Sequence, residues 1–389
     1  MKVLWHSNGP HAPTGYGRQT AMFAQMLAQD HEVWISANYG LEAAPLVWNG
    51  IPVLPGLGQT HGNEALPGHV NAMFNGRDDG LVWTLYDTPV FDPDVFQRFN
   101  AACWTPIDHC PPPPPVISFF RASQAIPVAM SRYGQGELGE FDPLYVPHGV
   151  DVDVFKPTAS DVRQQMDLPD DAFLIGMVAA NKGRPSRKCF QQAFEAFRIF
   201  RRTHEDAHLY LHTTLSASYS AGEDLPTLLA SLEIPDDAVK YPNQYSMMFA
   251  PLDEAKMAQI YSACNVLLNC SMGEGFGVPI IEAAACGTPA IVTDFSAMPE
   301  VAGPGWRVSG RPHWTGQCSW MSVPDVGEMV GALEEAHDQS EERRSSLSRE
   351  CRAHALGYSA RSVYDEHMVP ALDEIQERIG MRQPVRVAA

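Results

Sequence analysis

Apolar and polar positions along the chain follow two alternating rhythms. Lys2 to His6 reads as a short buried strand. A loop with Gly9, Gly15 and Gly17 follows, and Arg18 to Gln29 then carries Ala21, Met22, Met26 and Leu27 at helical spacing. Val33-Trp34-Ile35 supplies the next strand, so the first 36 residues make a βαβ unit. The same order starts again past the middle. Leu174 to Ala180 is a strand, and Asn181 to Lys188 is a loop. Phe190, Ala193, Phe194, Phe197 and Phe200 keep a helical period, and His208 to Thr214 is a strand. Lys256–Tyr261 (helix), Val266–Cys270 (strand), Pro279–Cys286 (helix) and Ala290–Thr293 (strand) extend the second series. Gly287 is placed to close the Pro279 helix, with Pro289 just beyond it. The chain reads as two α/β halves.

Between the halves, Pro147-His148-Gly149-Val150-Asp151 and Phe155-Lys156-Pro157 have the composition of a linker. Pro111 to Pro115 is expected in polyproline II, as a stiff surface loop or a partner-binding segment. Glu334 to Arg352 is charge-rich and helical and is expected to be a solvated face, and residues 381–389 a frayed tail. No repeat of 20–50 residues is visible in the sequence.

A length of 389 residues suits two domains or three, and 45% hydrophobic residues suffice for sizeable cores. The formal charge of −19 argues against a broad basic surface for nucleic acid or anionic membrane. No apolar run approaches the roughly 20 residues of a membrane span. The first residues lack the pattern of a signal peptide. Eight scattered cysteines without a CxxC pair fit reduced thiols, and a cytoplasmic protein is the expectation.

Three loops carry candidate chemistry. Thr14-Gly15-Tyr16-Gly17-Arg18 lies between a strand and a helix, as a phosphate contact or a tight turn. Thr20 stands at the third glycine position of a dinucleotide fingerprint, and no acid ends the second strand, which disfavours a nicotinamide dehydrogenase. Asn181 to Lys188 crowds Lys182, Arg184, Arg187 and Lys188 before a helix. That is either a solvated basic turn or a cradle for a diphosphate. Finally, Asn269 to Pro279 holds Glu274 among Gly273, Gly275 and Gly277 and leads into a helix with Glu282 in its first turn. Two carboxylates eight residues apart suit hydroxyls of a sugar or ribose as hydrogen-bond donors.

Metal sites are not expected. Asp92-Pro93-Asp94 and Asp151-Val152-Asp153 read as loop acids, and His208 and His212 as strand residues.

Glu274-Gly275-Phe276-Gly277, followed by Glu282 and Ala283-Ala284-Ala285-Cys286-Gly287-Thr288-Pro289, resembles the EX7E signature of retaining GT4-type glycosyltransferases. Val146-Pro147-His148-Gly149-Val150-Asp151 with Phe155 and Pro157 resembles the family's interdomain crossing, and Ser131-Arg132-Tyr133-Gly134 an element before it. The Arg/Lys loop before Cys189, and Glu300 after Thr293-Asp294, keep the family's order.

The resemblance implies a GT-B fold, α/β, with two Rossmann-like domains whose parallel sheets face a central cleft. Residues 1–155 would be the acceptor domain, with a helix at 360–380 crossing back, and 156–359 the donor domain. It implies that Lys188 and Arg184, or Arg187 in place of Arg184, hold the donor diphosphate. Glu282 would bind the ribose and Glu274 the transferred sugar, with the amides of Gly275, Phe276 and Gly277 against sugar and phosphates. Gly15 and Gly17 would approach the diphosphate, and Asp108-His109 would line the acceptor pocket or shape its loop.

The implied activity is retaining transfer from a nucleotide-diphosphate sugar, with no cofactor and no metal. The acceptor stays open among a glycan, a small molecule, a protein and a modified nucleic-acid base; no integral membrane contact is expected, and the oligomeric state is open. A non-hydrolysing sugar-nucleotide epimerase and a non-catalytic nucleotide-sugar binder are the alternatives.

Overall fold

The computed structural model describes residues 1–58, 60–75, 80–169, 171–216, 221–249 and 252–380; the expected tail at 381–389 lies outside them. The chain divides into two compact α/β units. One comprises Met1–Gly149, Gln317–Ser319 and the chain from Ala360; the other comprises Val150–Gly316 and Trp320–Ser359. The division that the sequence puts at 155/156 falls at 149/150. Among the described residues no helix is long and apolar enough to cross a membrane.

The first unit is built on β1 (Lys2–Asn8), β2 (Glu32–Tyr39), β3 (Leu46–Trp48), β4 (Ile51–Leu54), β5 (Gly80–Leu85), β6 (Ala101–Thr105), β7 (Ile126–Ala129) and β8 (Leu144–Tyr145). They form one sheet in the order β3-β4-β2-β1-β5-β6-β7-β8, parallel except for the β3–β4 pair. Covered on both faces, β1 is buried after Lys2, including its polar end His6-Ser7-Asn8. Trp5, Trp83 and Trp104 stand on the adjacent strands β1, β5 and β6, with ring centroids 6.0–6.2 Å apart. Trp5 Nε1 donates to Thr20 Oγ1 at 3.0 Å, which gives Thr20 a packing role where a fingerprint would need glycine.

The helix after β1 is Gly15–Leu27, and it buries Thr20, Phe23, Ala24 and Leu27. Of the four apolar residues read at helical spacing, only Leu27 lies in that stripe; Ala21, Met22 and Met26 flank it, half-buried. Gln19 from the same helix grips Gly149 twice, donating from Nε2 to its carbonyl at 2.8 Å and accepting from its amide at 3.0 Å. The chain from Ala360 closes this unit: Met368, Leu372 and Ile375 are buried, and Arg378 pairs with Asp142 at 2.8 Å.

The proline run does not stay extended. Pro114 begins the helix Pro114–Ser123, because proline's fixed φ suits a first turn where no N–H is required.

The second unit contains β9 (Phe173–Val178), β10 (Ala207–His212), β11 (Val239–Lys240), β12 (Val266–Asn269), β13 (Ala290–Thr293) and β14 (Trp306–Val308). The sheet is parallel throughout, in the order β11-β10-β9-β12-β13-β14. Counted along the chain, that is 3-2-1-4-5-6, the Rossmann order. The parallel strands β4-β2-β1-β5-β6-β7 of the first unit run in the same order. The helix Phe190–Arg201 buries all five expected apolar residues, and Gly287 follows the helix Val278–Ala285 with φ +79 as its left-handed stop.

Beyond the elements expected from the sequence, β15 (Gly310–Trp314) and β16 (Trp320–Pro324) form an antiparallel hairpin.

The charge-rich segment is two helices, Val326–His337 and Glu341–Leu356, separated where Ser340 caps the second by accepting from Arg343 N at 3.2 Å. It is more than a solvated face. Leu347, Cys351 and Ala355 are buried, and half-buried Arg352 donates to the carbonyls of Val152, Phe155 and Ala285 at 2.6–2.9 Å. Arg352 thus ties the start of the unit to the end of the helix Val278–Ala285. Arg352→Ala strands three carbonyls, and we expect a loss of about 2–3 kcal/mol in urea unfolding of this unit. Arg352→Lys should recover less than half of it, because an ammonium cannot span the fork of acceptors.

Candidate functional site

In an open parallel sheet, ligands bind outside the carboxyl ends of the strands where the strand order reverses. In the second unit that place is β9 beside β12. The loop after β9 delivers Arg187 and Lys188, and the loop after β12 delivers Glu274. All three meet: Lys188 Nζ pairs with Glu274 Oε1, and Arg187 Nη1 reaches Glu274 Oε2 at 3.1 Å and the Gly273 carbonyl at 2.6 Å. Ser271 Oγ donates to Oε1 at 2.6 Å, and the Glu274 amide donates to Ser296 Oγ at 2.9 Å. The two loops are also joined through backbone. Met272 N donates to the Arg187 carbonyl at 2.8 Å, and Ser322 N of β16 donates to the Met272 carbonyl at 3.0 Å.

The basic loop is held from its other side. Asn181 donates to the carbonyls of Thr214 and Glu223 and accepts from Glu223 N, while Glu223 Oε1 accepts from Ser186 N at 2.9 Å. Arg184 does not join the cluster; its Nε donates to the Gly222 carbonyl at 2.5 Å. Of the two candidate arginines, the structure brings Arg187 to Lys188 and Glu274. Cys189, at φ +54, precedes the helix Phe190–Arg201 and no side chain caps that helix, so its first amides face the end where the cations gather.

Glu274 is 6% exposed. Burial alone raises its pKa, but the charges of Arg187 and Lys188, with hydrogen bonds from Lys188 and Ser271, outweigh it and lower the value from 4.5 to about 2. The carboxylate is therefore ionised, with Oε1 accepting from Lys188 and Ser271 and Oε2 from Arg187. Arg187 and Lys188 converge on the one carboxylate, and Arg187 keeps 42% of its side chain exposed. Such a site takes an anion in which several oxygens share the charge.

Gly275 and Phe276 are buried, and Phe276 packs edge-on against Tyr358 at 5.7 Å. Gly277 has φ +101, and a Cβ there would come within 2.7 Å of Ile280 Cδ1, so the turn into the helix requires glycine. That helix starts at Val278, one residue earlier than expected, which makes Glu282 its fifth residue and places it outside the first turn. Glu282 is buried and accepts from Tyr261 Oη at 2.8 Å. Glu282 is thereby a fixed, buried acceptor.

The first unit holds the remaining predicted residues. Thr14 caps the helix Gly15–Leu27, its Oγ1 accepting from Gly17 N at 3.0 Å, so that amide is engaged within the loop. A Cβ on Gly17 would collide with the Ala12 carbonyl, whereas nothing lies within 4 Å of that position at Gly15. Tight packing explains Gly17 and leaves Gly15 open to a ligand. After β6, Asp108 Oδ1 lies 2.6 Å from His109 Nδ1, and Tyr133 Oη donates to the His109 carbonyl at 3.0 Å. His109 is 1% exposed, and its Nε2 has no hydrogen-bond partner among the described residues.

Both Asp-x-Asp pairs are used in turns: Asp92 accepts from Asp94 N and Asp151 from Asp153 N and Val154 N. His208 and His212 stand in β10, with His212 Nδ1 3.0 Å from Tyr210 Oη. Tyr241, Tyr245 and Phe249 are exposed side chains. Sequence reading missed Ser271, Ser296, Tyr261 and Asn181. Ser271, three residues before Glu274, and Asn181, at the start of the basic loop, lie beside predicted residues; Ser296 and Tyr261 come from distant segments.

Residues 174–337 match the family model described as glycosyl transferases group 1. An MMP alpha-(1->4)-mannosyltransferase of Mycolicibacterium hassiacum is 27% identical over 200 residues, 51% of this chain and 40% of that protein. The chain thus spans less than half the length of this relative. Among solved structures, sucrose-phosphate synthase of Thermosynechococcus elongatus superposes with a TM-score of 0.74 at 16% identity, covering 97% of this chain and 99% of that one. An Anabaena protein solved with UDP-glucose gives 0.68 at 13% identity, covering 96% and 100%. The fold is that of the GT-B glycosyltransferases, α/β with two Rossmann-like units.

The Glu274 cluster has a pH signature. A carboxyl whose pKa is depressed on folding contributes stability that is complete above its unfolded value and lost as pH falls through its folded value. Calorimetric melting should show Glu274→Gln less stable than the parent by on the order of 2–4 kcal/mol at neutral pH. The gap should close as pH falls from about 5 to about 2; a gap constant across that window would mean that the carboxylate charge does not hold the loops together.

Proposed function

We propose that the protein is a retaining glycosyltransferase of the GT4 type, which moves a sugar from a nucleotide-diphosphate sugar to an acceptor. The observation that carries the reading is the buried Glu274 carboxylate held by Lys188 and Arg187 between the loops after β9 and β12. The group 1 family match over residues 174–337 supports it, because that segment contains both loops. So does the name of the mannosyltransferase relative.

In this reading Lys188 and Arg187 bind the donor diphosphate, with Arg184 at the rim of the same loop. Glu274 accepts hydrogen bonds from hydroxyls of the transferred sugar, its position fixed by Ser271. Amides at Gly275, Phe276 and Gly277 lie against sugar and phosphate, and Glu282, held by Tyr261, takes the ribose. When the bond from the anomeric carbon to the diphosphate breaks, its electron pair stays on the phosphate oxygen. Cations already in place stabilise that charge without reorganising. A donor phosphate oxygen takes the proton of the attacking hydroxyl, so no protein nucleophile is required. His109, oriented by Asp108, serves the acceptor side. With Arg187 and Lys188 at the diphosphate, the reading needs no metal there. Eight free cysteines support a reducing, cytoplasmic setting.

The first test is a thermal-shift screen of UDP, GDP, ADP and dTDP with their sugars, with and without EDTA. One nucleotide should raise the melting temperature, EDTA should not change the shift, and Lys188→Ala should remove it. In an assay with the matching donor sugar, Lys188→Ala should lower kcat/KM by roughly 10²–10³-fold. Glu274→Ala should abolish transfer while the protein stays folded. Full activity in Glu274→Ala would eliminate this site, and turnover of donor to an isomeric sugar nucleotide without any acceptor would replace transfer with epimerisation.

A further inference from the structure

At the opposite end of the second unit's sheet, two histidines and two carboxylates converge. His204 and Asp206 lie in the turn between the helix Phe190–Arg201 and β10, and Glu334 and His337 lie in the last turns of the helix Val326–His337. One ligand atom each from His204, Asp206 and His337 lies within 4.8 Å of the others. His337 Nε2 is 3.3 Å from Asp206 Oδ2, and His204 Nε2 is 2.5 Å from Glu334 Oε2. The imidazole rings themselves are 4.1 Å apart.

We propose that His204, Asp206 and His337, with Glu334 paired to His204, form a binding site for a divalent ion of the zinc class. Four observations support the site. Its donors are two imidazoles and carboxylates, the set that zinc takes, and zinc bonds of about 2.0–2.1 Å place tetrahedral ligand atoms roughly 3.4 Å apart. His204-x-Asp206 within one turn is a chelating spacing, and Glu334, three residues before His337 on one helix face where such residues are neighbours, pairs with His204. The other ring nitrogen of His337, Nδ1, lies 3.3 Å from Asp338 Oδ1, the carboxylate partner that orients a metal-binding imidazole. The rings also rest on an apolar floor, with Phe200 stacked on His204 at 4.4 Å and Phe173 edge-on to His337 at 5.1 Å.

The ion would serve the fold and not the transfer step. His204 and Asp206 precede β10, whereas the Glu274 loop leaves the far ends of these parallel strands, and six residues of strand span roughly 20 Å. An ion here staples the C-terminal turn of the helix Val326–His337 to the entry of the central strands. The proposal stands apart from the reading of the donor site.

The test uses the untagged full chain, stripped with EDTA and with exposed Cys110 and Cys318 alkylated. Zinc titrated by calorimetry should bind one ion per chain and raise the melting temperature, and cobalt should give the visible bands of a tetrahedral nitrogen–oxygen site. His337→Gln and Asp206→Asn should each weaken zinc by at least about 100-fold, while His212→Ala keeps it. Absence of stoichiometric zinc and of the cobalt bands in the parent protein overturns the site without reference to any variant. Equal zinc affinity in folded His204→Ala/His337→Ala, checked by circular dichroism, overturns it as well.

Discussion

A buried carboxylate cannot stay ionised alone, and the second unit is organised around meeting that requirement at Glu274. Without partners the charge would be expelled or protonated. Arg187, Lys188 and Ser271 supply the partners, and to do so the loops after β9 and β12 must keep one mutual arrangement. The backbone bonds from Met272 to Arg187 and from Ser322 to Met272 follow from that arrangement and extend it to the hairpin β15–β16. Asn181 and Glu223 brace the basic loop from behind.

The same requirement sets what the site can attract. The protein carries a net charge of −19, so its average field repels anions. A local gathering of cations such as Arg187 and Lys188 opposes that field. Pre-pairing with Glu274 also orients Lys188 and Arg187 before any ligand arrives, which reduces the ordering that binding would otherwise demand.

Much of this architecture is legible in the residues themselves. The aromatic period from Phe190 to Phe200, the left-handed stop at Gly287 and the parallel runs of β9, β12 and β13 are local patterns, and local patterns survive folding. The loop chemistry at Lys188 and Glu274 is legible for the same reason: a charge among glycines has few structural explanations. What escaped depends on distance along the chain. Ser296 accepts from the Glu274 amide 22 residues away, Tyr261 donates to the Glu282 carboxylate 21 residues away, and Arg352 reaches Val152 across 200. The hairpin β15–β16 lacks a strong turn signal, and the stripe of the helix Gly15–Leu27 is shifted because Thr20 is claimed by Trp5. Choosing between Arg184 and Arg187 likewise needed the path of the loop, since Gly222 captures the first.

The first unit is not contiguous in the chain, and that has a consequence for its birth. Residues 150–316 and 320–359 form the second unit, but Met368, Leu372 and Ile375, which bury themselves in the first, emerge from the ribosome after all of it. The earlier half of the sequence therefore waits, with part of its apolar surface uncovered, while the later half is made and can complete its own parallel sheet. Domains fold as units during synthesis, N-terminal first as a rule; here the order of completion is inverted. A nascent chain halted after Ser359 should yield its first 149 residues to a protease while the second unit resists, and equal resistance of both would show that the closing segment is dispensable.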